Sequence, residues 1–318
     1  MVRFWVGGYG SAGIALAELD QAEGSVTVLG RFGCAPDPSY LCLSPDEGTV
    51  LAVHEDERDP GVSSFKVGEG SRLSSGGHVA TPAGAGCHVA CSRGVVLVSC
   101  YGTGKLLSLG FDGGALGPVR QEFAYPGGRD ASHAHQAVFS PDGGFVHACD
   151  LGADMVWAHR FEPGSGVLGE PVAVAMPPGS GPRHMVWTGE QAWVLGELDA
   201  TLHPLPGVPA SPSPLPPRVP LMEPGQPGMG WGAAVRVVGD DLVASLRDPS
   251  CLVFVGPTGV RRVPTPGSTP RDFACSHCGR WLVVAHQGSH TVQALRLEDA
   301  SWGQPAEVES PTCVLMAG

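Results

Sequence analysis

Apolar residues fall in short runs that meet at turns along the whole chain. YLCLS, HVACS, QAVFS, HMVWT, AVRVV and DFACS each lead into a turn, and VLAVHE, VVLVSC, FVHACD, AWVLGE, DLVASL and WLVVAH follow in the same order. Short apolar runs bounded by Gly, Pro, Asp and Ser read as buried strands, and two such runs across a tight turn read as a hairpin. The turns recur at Ser44-Pro45-Asp46, Ser92-Arg93-Gly94, Ser140-Pro141-Asp142, Thr188-Gly189-Glu190, Val238-Gly239-Asp240 and Ser276-His277-Cys278-Gly279, spaced by 48, 48, 48, 50 and 38 residues. In most units a third run alternates apolar and polar residues, as at 61–65, 105–109, 155–159 and 291–295. Three or four strands in each unit of roughly 40–50 residues is the pattern of a propeller blade.

Six turns give six blades, and the chain ends supply another. Phe4-Trp5-Val6 has the character of a second strand without its first, and Pro311–Met316 has that of the missing strand. Pairing them also removes two open sheet edges. The reading is therefore all-β: a seven-bladed β-propeller closed by its N- and C-terminal strands, with residues 1–318 as one domain. Between His203 and Trp231 the pattern lapses into a Pro-rich stretch, read as the weakened outer part of one blade plus a surface loop, because Pro cannot supply central-strand hydrogen bonds. Pro214-Leu-Pro-Pro217-Arg218 is one residue short of the usual PxxPxR spacing, so no protein partner is expected there.

Composition agrees with a turn-rich β protein: 42% hydrophobic and 16% charged residues, with 47 Gly and 30 Pro in 318. A net charge of -12 argues against sequence-independent binding to nucleic acid or to an anionic membrane surface. The N-terminus lacks a signal peptide's apolar stretch and no run is long enough to cross a bilayer, so a soluble, cytoplasmic protein is expected. The ten cysteines, spread through strand-like contexts, read as free thiols, and Cys275-Ser-His-Cys278 has no second CxxC to complete a zinc site.

Several motifs fail on context. Gly8-Tyr-Gly10-Ser-Ala-Gly13 matches GxGxxG, but Ile14–Leu19 is too short for the required helix and falls where a third strand belongs. Gly102-Thr-Gly104-Lys105 lacks the first Gly and the final Ser or Thr of a phosphate-binding loop, and no GxSxG elbow occurs.

Residues at one offset from each turn should face the same part of a central channel. Five positions before the turns stand Ser39, Cys87, His135, Arg183, Ala233 and Arg271, with His133 two residues before His135, and His88 and His184 following their ring positions. A strict strand period would turn His133 and His135 to the same side. The ends of the second strands give Glu55, Tyr101, Leu151, Glu197, Arg247 and Gln287. So many His, Arg and Glu residues around one axis, in a chain with 19 basic residues, point to a pocket for a polar or anionic ligand.

Taken together, the stretches 35–46, Gly86-Cys-His-Val89, Ser132-His-Ala-His-Gln136, Asp150–Asp154, Gly179-Ser-Gly-Pro-Arg-His184 and Pro270-Arg-Asp-Phe273 resemble the seven-bladed propeller lactonases. That family includes the propeller-type bacterial 6-phosphogluconolactonases and the fungal carboxy-muconate lactonizing cycloisomerases. The resemblance implies an active site at the funnel, built from His133 and His135, Arg183, Glu197 and Arg247. Gly196, Leu246, Cys100 and His286 stand where the family commonly has Asn, in a chain with no Asn at all.

The expected activity is hydrolysis of a sugar-derived or similar anionic lactone. His135, or alternatively His133, would be the general base toward water, Arg183 would stabilise the oxyanion and Glu197 would orient its partners. Arg247 and Arg271 would hold a carboxylate or phosphate, with His88, Tyr101, Glu55 and Gln287 as further substrate contacts. The scheme calls for no metal and no cofactor. The alternatives are a muconate-type cycloisomerase and a non-catalytic binding platform.

Overall fold

The computed structural model describes all residues except 11–12, 34–35, 82–83, 85, 127–130 and 207–215. Seven antiparallel sheets follow one another around an axis. Their innermost strands are Pro38–Leu43, His88–Ser92, Ala134–Phe139, Pro182–Thr188, Gly230–Val238, Pro270–Cys275 and Pro311–Met316. The last of these pairs with Val2–Gly8, which pairs in turn with Ile14–Leu19 and so with Val26–Phe32. The seventh blade is thus assembled from both chain ends, as the terminal runs predict. Ser11 and Ala12 of the GxGxxG match lie outside the described residues; its flanks are two antiparallel strands.

The second strands Thr49–His54, Val95–Cys100 and Trp281–His286 are buried at every position. Each blade has a neighbour on both faces, so these strands carry near-continuous apolar runs where a one-sided sheet would alternate. The apolar core divides into seven clusters, one at each junction between adjacent blades. Phe4, Val6 and Ala17 meet Trp281 and Val283, for example, and Leu51 and Val53 meet Val96 and Val98. Such a division leaves the axis itself to other residues. In the Pro-rich stretch the fourth strand is reduced to Val219–Pro220. Pro214 and Leu215 of the PxxPxR-like run lie outside the described residues.

The innermost strands share a further feature. The pairing register slips by one residue between Pro38 and Tyr40, Ala134 and Gln136, Pro182 and His184, and Pro270 and Asp272, and slips likewise on the strand facing Thr312. A β-bulge leaves one residue unpaired and re-aims its side chain. The bulged residues are Ser39, His135, Arg183, Arg271 and Thr312, and Ala233 lies within the slip between Gly232 and Val235. Together with Cys87, which stands just ahead of its strand and donates its N–H to the Ser99 carbonyl, these are the first predicted ring, completed by the blade that the chain ends share. A repeated clasp holds the second ring beside it. The backbone N–H groups of Tyr9, Glu55, Leu151, Glu197 and Gln287 donate to the carbonyls of Ser310, Asp37, His133, Gly181 and Thr269, each two residues before a bulge.

Candidate active site

The bulges close a small polar cavity on the axis. Ser39, Cys87, His135, Arg183, Arg271 and Thr312 line it from the first ring, and Tyr9 and Glu55 from the second. Tyr40, His184 and Asp272, each next after a bulged residue, close it below.

On one wall Glu197 joins two arginines. Its Oε1 lies 2.7 Å from Arg247 Nη2, while Oε2 accepts a hydrogen bond from Arg183 Nη1. Arg183 is fixed further by Nε donating to the Ala233 carbonyl at 2.8 Å. Burial would raise the Glu197 pKa, but Arg183 and Arg247 outweigh it and hold the carboxyl below its ordinary range. Gly196 is a steric requirement here, because a Cβ would stand 2.6 Å from the Ser180 carbonyl oxygen and collide with the Asp199 carboxylate. Arg247 also lies over the Trp231 ring, 5.5 Å from its centroid.

Across the axis Arg271 is held differently. Nη2 donates to the Tyr9 hydroxyl at 3.0 Å and Nη1 to Gln287 Oε1 at 3.3 Å, and Tyr9 donates in turn to Glu55 at 2.7 Å. Among the described residues no carboxylate pairs directly with Arg271. Burial foremost pushes the Tyr9 phenol pKa up, so Tyr9 is a neutral donor.

His135 is 4% exposed. Its Nδ1 is enclosed without a hydrogen-bond partner, which leaves Nε2 as the nitrogen available to a ligand. Burial, then Arg183, His184, Arg271 and His88, push its pKa well below the imidazole range, so the ring is neutral at pH 7. His133 is placed otherwise than a strict alternation predicts, since it precedes the strand and the bulge breaks the period. It stacks on Tyr101 with centroids 4.4 Å apart, and Nδ1 lies 3.0 Å from the Tyr101 carbonyl oxygen. His135 meets the same Tyr101 ring edge-on at 5.8 Å.

The predicted positions thus divide. His135, Arg183, Arg271 and Glu55 line the cavity; Glu197 and Gln287 touch its arginines, Arg247 is joined to Arg183 through Glu197, and Tyr101 with His133 lies beside it. His88, expected at the substrate, lies lower, 4.3 Å from Tyr40 and 5.9 Å from His184 between ring centroids, and lines the opposite, apolar mouth of the channel. The residue after the bulge falls one level down, which the sequence alone did not reveal. Leu151 is buried and apolar. Tyr9 and Thr312 went unnamed, yet their offsets in the shared blade match those of Glu55 and of Ser39.

Among the described residues no three His, Cys, Asp or Glu side chains are grouped to hold a metal ion. The nine described cysteines are free thiols. No described helix is long and apolar enough to cross a membrane.

A family model described as "Lactonase, 7-bladed beta-propeller" matches residues 3–316. The 6-phosphogluconolactonase of Bacillus subtilis (strain 168) is 27% identical over 308 aligned residues, covering 89% of this chain and 87% of that protein. The structure of a periplasmic gluconolactonase from Pseudomonas aeruginosa matches with a TM-score of 0.88 at 27% identity, covering 100% of this chain and 99% of that one. A putative 6-phosphogluconolactonase from Bacteroides fragilis NCTC 9343 matches with a TM-score of 0.86 at 21% identity, over 100% and 98% of the two chains, a likeness of fold.

Proposed function

Because the chain belongs to the lactonase family of seven-bladed β-propellers, we propose that it is a hydrolase opening a sugar-derived lactone that carries an anionic group. The observation that supports this reading best is the facing arrangement on the axis: a neutral His135, an Arg183 braced by Glu197, and an Arg271 with no carboxylate of its own.

In this mechanism His135 Nε2 accepts a proton from the attacking water, a role open to a neutral imidazole. Arg183 spends Nε on a backbone carbonyl and one Nη1 proton on Glu197, so donors on Nη2 remain for the developing oxyanion. Donors fixed in place beforehand need no reorganisation as charge develops. Glu197 is a positioning residue that holds Arg183 and Arg247 at a set separation. The charges of Arg183, Arg247 and Arg271 against Glu197 and Glu55 sum to one positive, which a single anionic substituent would balance. Arg271 holds that substituent, and Arg247 supports it from the mouth. Tyr101 and the stacked His133 form the side wall on which the sugar ring rests, with Glu55 and Gln287 acting through Tyr9 and Arg271. The chemistry proceeds without a metal or cofactor, residues 1–318 act as one unit, and the free thiols suit a reducing compartment such as the cytoplasm.

The test is hydrolysis of a gluconolactone and its 6-phospho derivative, run beside a muconate, with and without a chelator. Chelation leaves the rate unchanged. Arg183→Met lowers kcat by about 10²- to 10³-fold, and His135→Gln by roughly 10²- to 10⁴-fold. Turnover of the muconate alone favours cycloisomerisation by the same residues, and no turnover of any of the three favours a binding platform.

A further inference from the structure

The axial cavity is too small for a sugar. Space for a water centre amounts to only about 10 Å³, close to the least that a single ordered water needs, and such a water requires two to four polar partners. The partners are present. Ser39 is 4% exposed, and its Oγ has no hydrogen-bond partner among the described residues. Leaving an enclosed hydroxyl unsatisfied is costly, so a bulge that aims one into a polar cavity implies something there to bond it. His135 offers an acceptor nitrogen, and Arg183 and Arg271 offer further N–H donors. The seat is rigid: Thr312 Oγ1 donates to the Ser39 carbonyl at 2.7 Å, and the Cys87 thiol lies 3.2 Å from the His135 carbonyl oxygen.

We infer that this cavity seats the hydrolytic water, with Ser39 as its positioning residue, and that the lactone lies above it at the mouth, against Tyr101 and Trp231. The inference rests on the lactonase reading. The water oxygen bonds to the lactone carbonyl carbon while one of its protons passes to His135 Nε2. The ring C–O bond then breaks, its electron pair leaves on the ring oxygen, and the proton on His135 is delivered to that oxygen. The product is the open-chain hydroxy acid. The water thus approaches from the closed side of the channel, where His135 and His184 are the imidazoles among the described residues on the cavity wall, and of these two His135 stands at the bulge level.

Ser39→Val puts two methyls where the hydroxyl stood and fills the seat, while Ser39→Ala leaves the room and removes one partner. Ser39→Val is expected to lower kcat at least 100-fold with KM unchanged within twofold, and Ser39→Ala to lower kcat only about 3- to 10-fold. A structural role alone would not produce this split between kcat and KM or between the two variants. Cys87→Leu intrudes into the same seat from the neighbouring blade and serves if Ser39→Val fails to fold; the same loss of kcat is expected. Ser39→Val turnover within threefold of wild type, or a loss carried by KM, overturns the inference while leaving the lactonase reading intact. A wild-type protein that opens no lactone sinks the reading on which it rests. In a crystal of the wild-type protein, a single water bonded to Ser39 Oγ and His135 supports the seat, and an empty cavity refutes it.

Discussion

Replacing Glu197 by Gln probes the brace between the two arginines on one wall. The glutamate side chain is 14% exposed and touches one guanidinium at 2.7 Å and the other through its second oxygen. Two unit charges about 4 Å apart interact by roughly 4 kcal/mol at an effective dielectric constant near 20, and removing one member of a buried pair costs about 3–5 kcal/mol. The amide oxygen of Gln still accepts from one arginine, while its NH₂ faces the other as donor against donor, so the lower end, about 3 kcal/mol, is expected. For a chain of 318 residues that is a fall in Tm of roughly 4–5 °C. Arg183 loses its fixed orientation, and kcat is expected to fall by about 100-fold. Scanning calorimetry and initial rates at pH 7 measure both. The pH dependence supplies an internal control. Because the folded-state pKa of Glu197 is depressed, its contribution is complete above the ordinary carboxyl range and is lost as pH falls through and below it. The stabilities of wild type and Glu197→Gln should therefore converge in acid. A variant with wild-type Tm and kcat within threefold of wild type at pH 7 would refute the reasoning.

Three imidazoles that meet edge to face along the axis, His88, His184 and His135, are buried with depressed pKa values, His88 at about 3. The unfolded chain takes up protons below about pH 6.5 that the folded chain refuses, so stability falls with pH at up to about 1.4 kcal/mol per pH unit for each group, visible as a declining Tm between pH 6.5 and 4. For the same reason the acid limb of kcat/KM should lie well below pH 6, and a limb at the ordinary imidazole pKa removes His135 as the base. Arg271→Met should raise KM for an anionic lactone about 10- to 100-fold and leave KM for a neutral lactone almost unchanged; equal effects on the two KM values remove Arg271 as the anion holder. Asp150 is fully buried and accepts from Ser132 Oγ at 2.7 Å, His133 N at 2.8 Å and Trp157 Nε1 at 2.9 Å. Ala153 N donates to it as well, at 3.2 Å, so each carboxylate oxygen serves two donors; Asp150→Asn turns one of those oxygens into a donor facing two donors, and chemical denaturation should show a loss of about 2–4 kcal/mol.

Much of this geometry was legible because a propeller repeats. An offset counted from Ser44, Ser140 or Ser276 finds equivalent positions without any knowledge of side-chain direction, and so Arg183, His135 and Arg271 could be grouped from sequence. Blade count followed from the split strand at Phe4–Val6 and Pro311–Met316. What the repeat does not encode is the bulge. An extra residue in one strand of a pair leaves no mark in the apolar pattern, yet it decides that His135 enters the cavity and that His133 stacks outside on Tyr101; His88, one position after the ring residue Cys87, lies at the lower mouth. Tyr9 was hidden for a different reason. It sits next to Gly7 and Gly8 in what looks like a phosphate-loop fragment, and only the pairing of Val2–Gly8 with Pro311–Met316 reveals it as the seventh member of its ring. Gly196 reads as a lost amide in sequence and as an enforced close approach in space.

The shared blade also sets an order of assembly. Tyr9 and Thr312 stand far apart along the sequence, yet both face the same cavity. Until Pro311–Met316 docks, Val2–Gly8 presents an unpaired edge and the hub is open on one side. The hub therefore closes in a single step, when Pro311–Met316 completes the circle. Deleting Pro311–Met316 should accordingly act on solubility and turnover together, whereas nicking an outer hairpin should spare both.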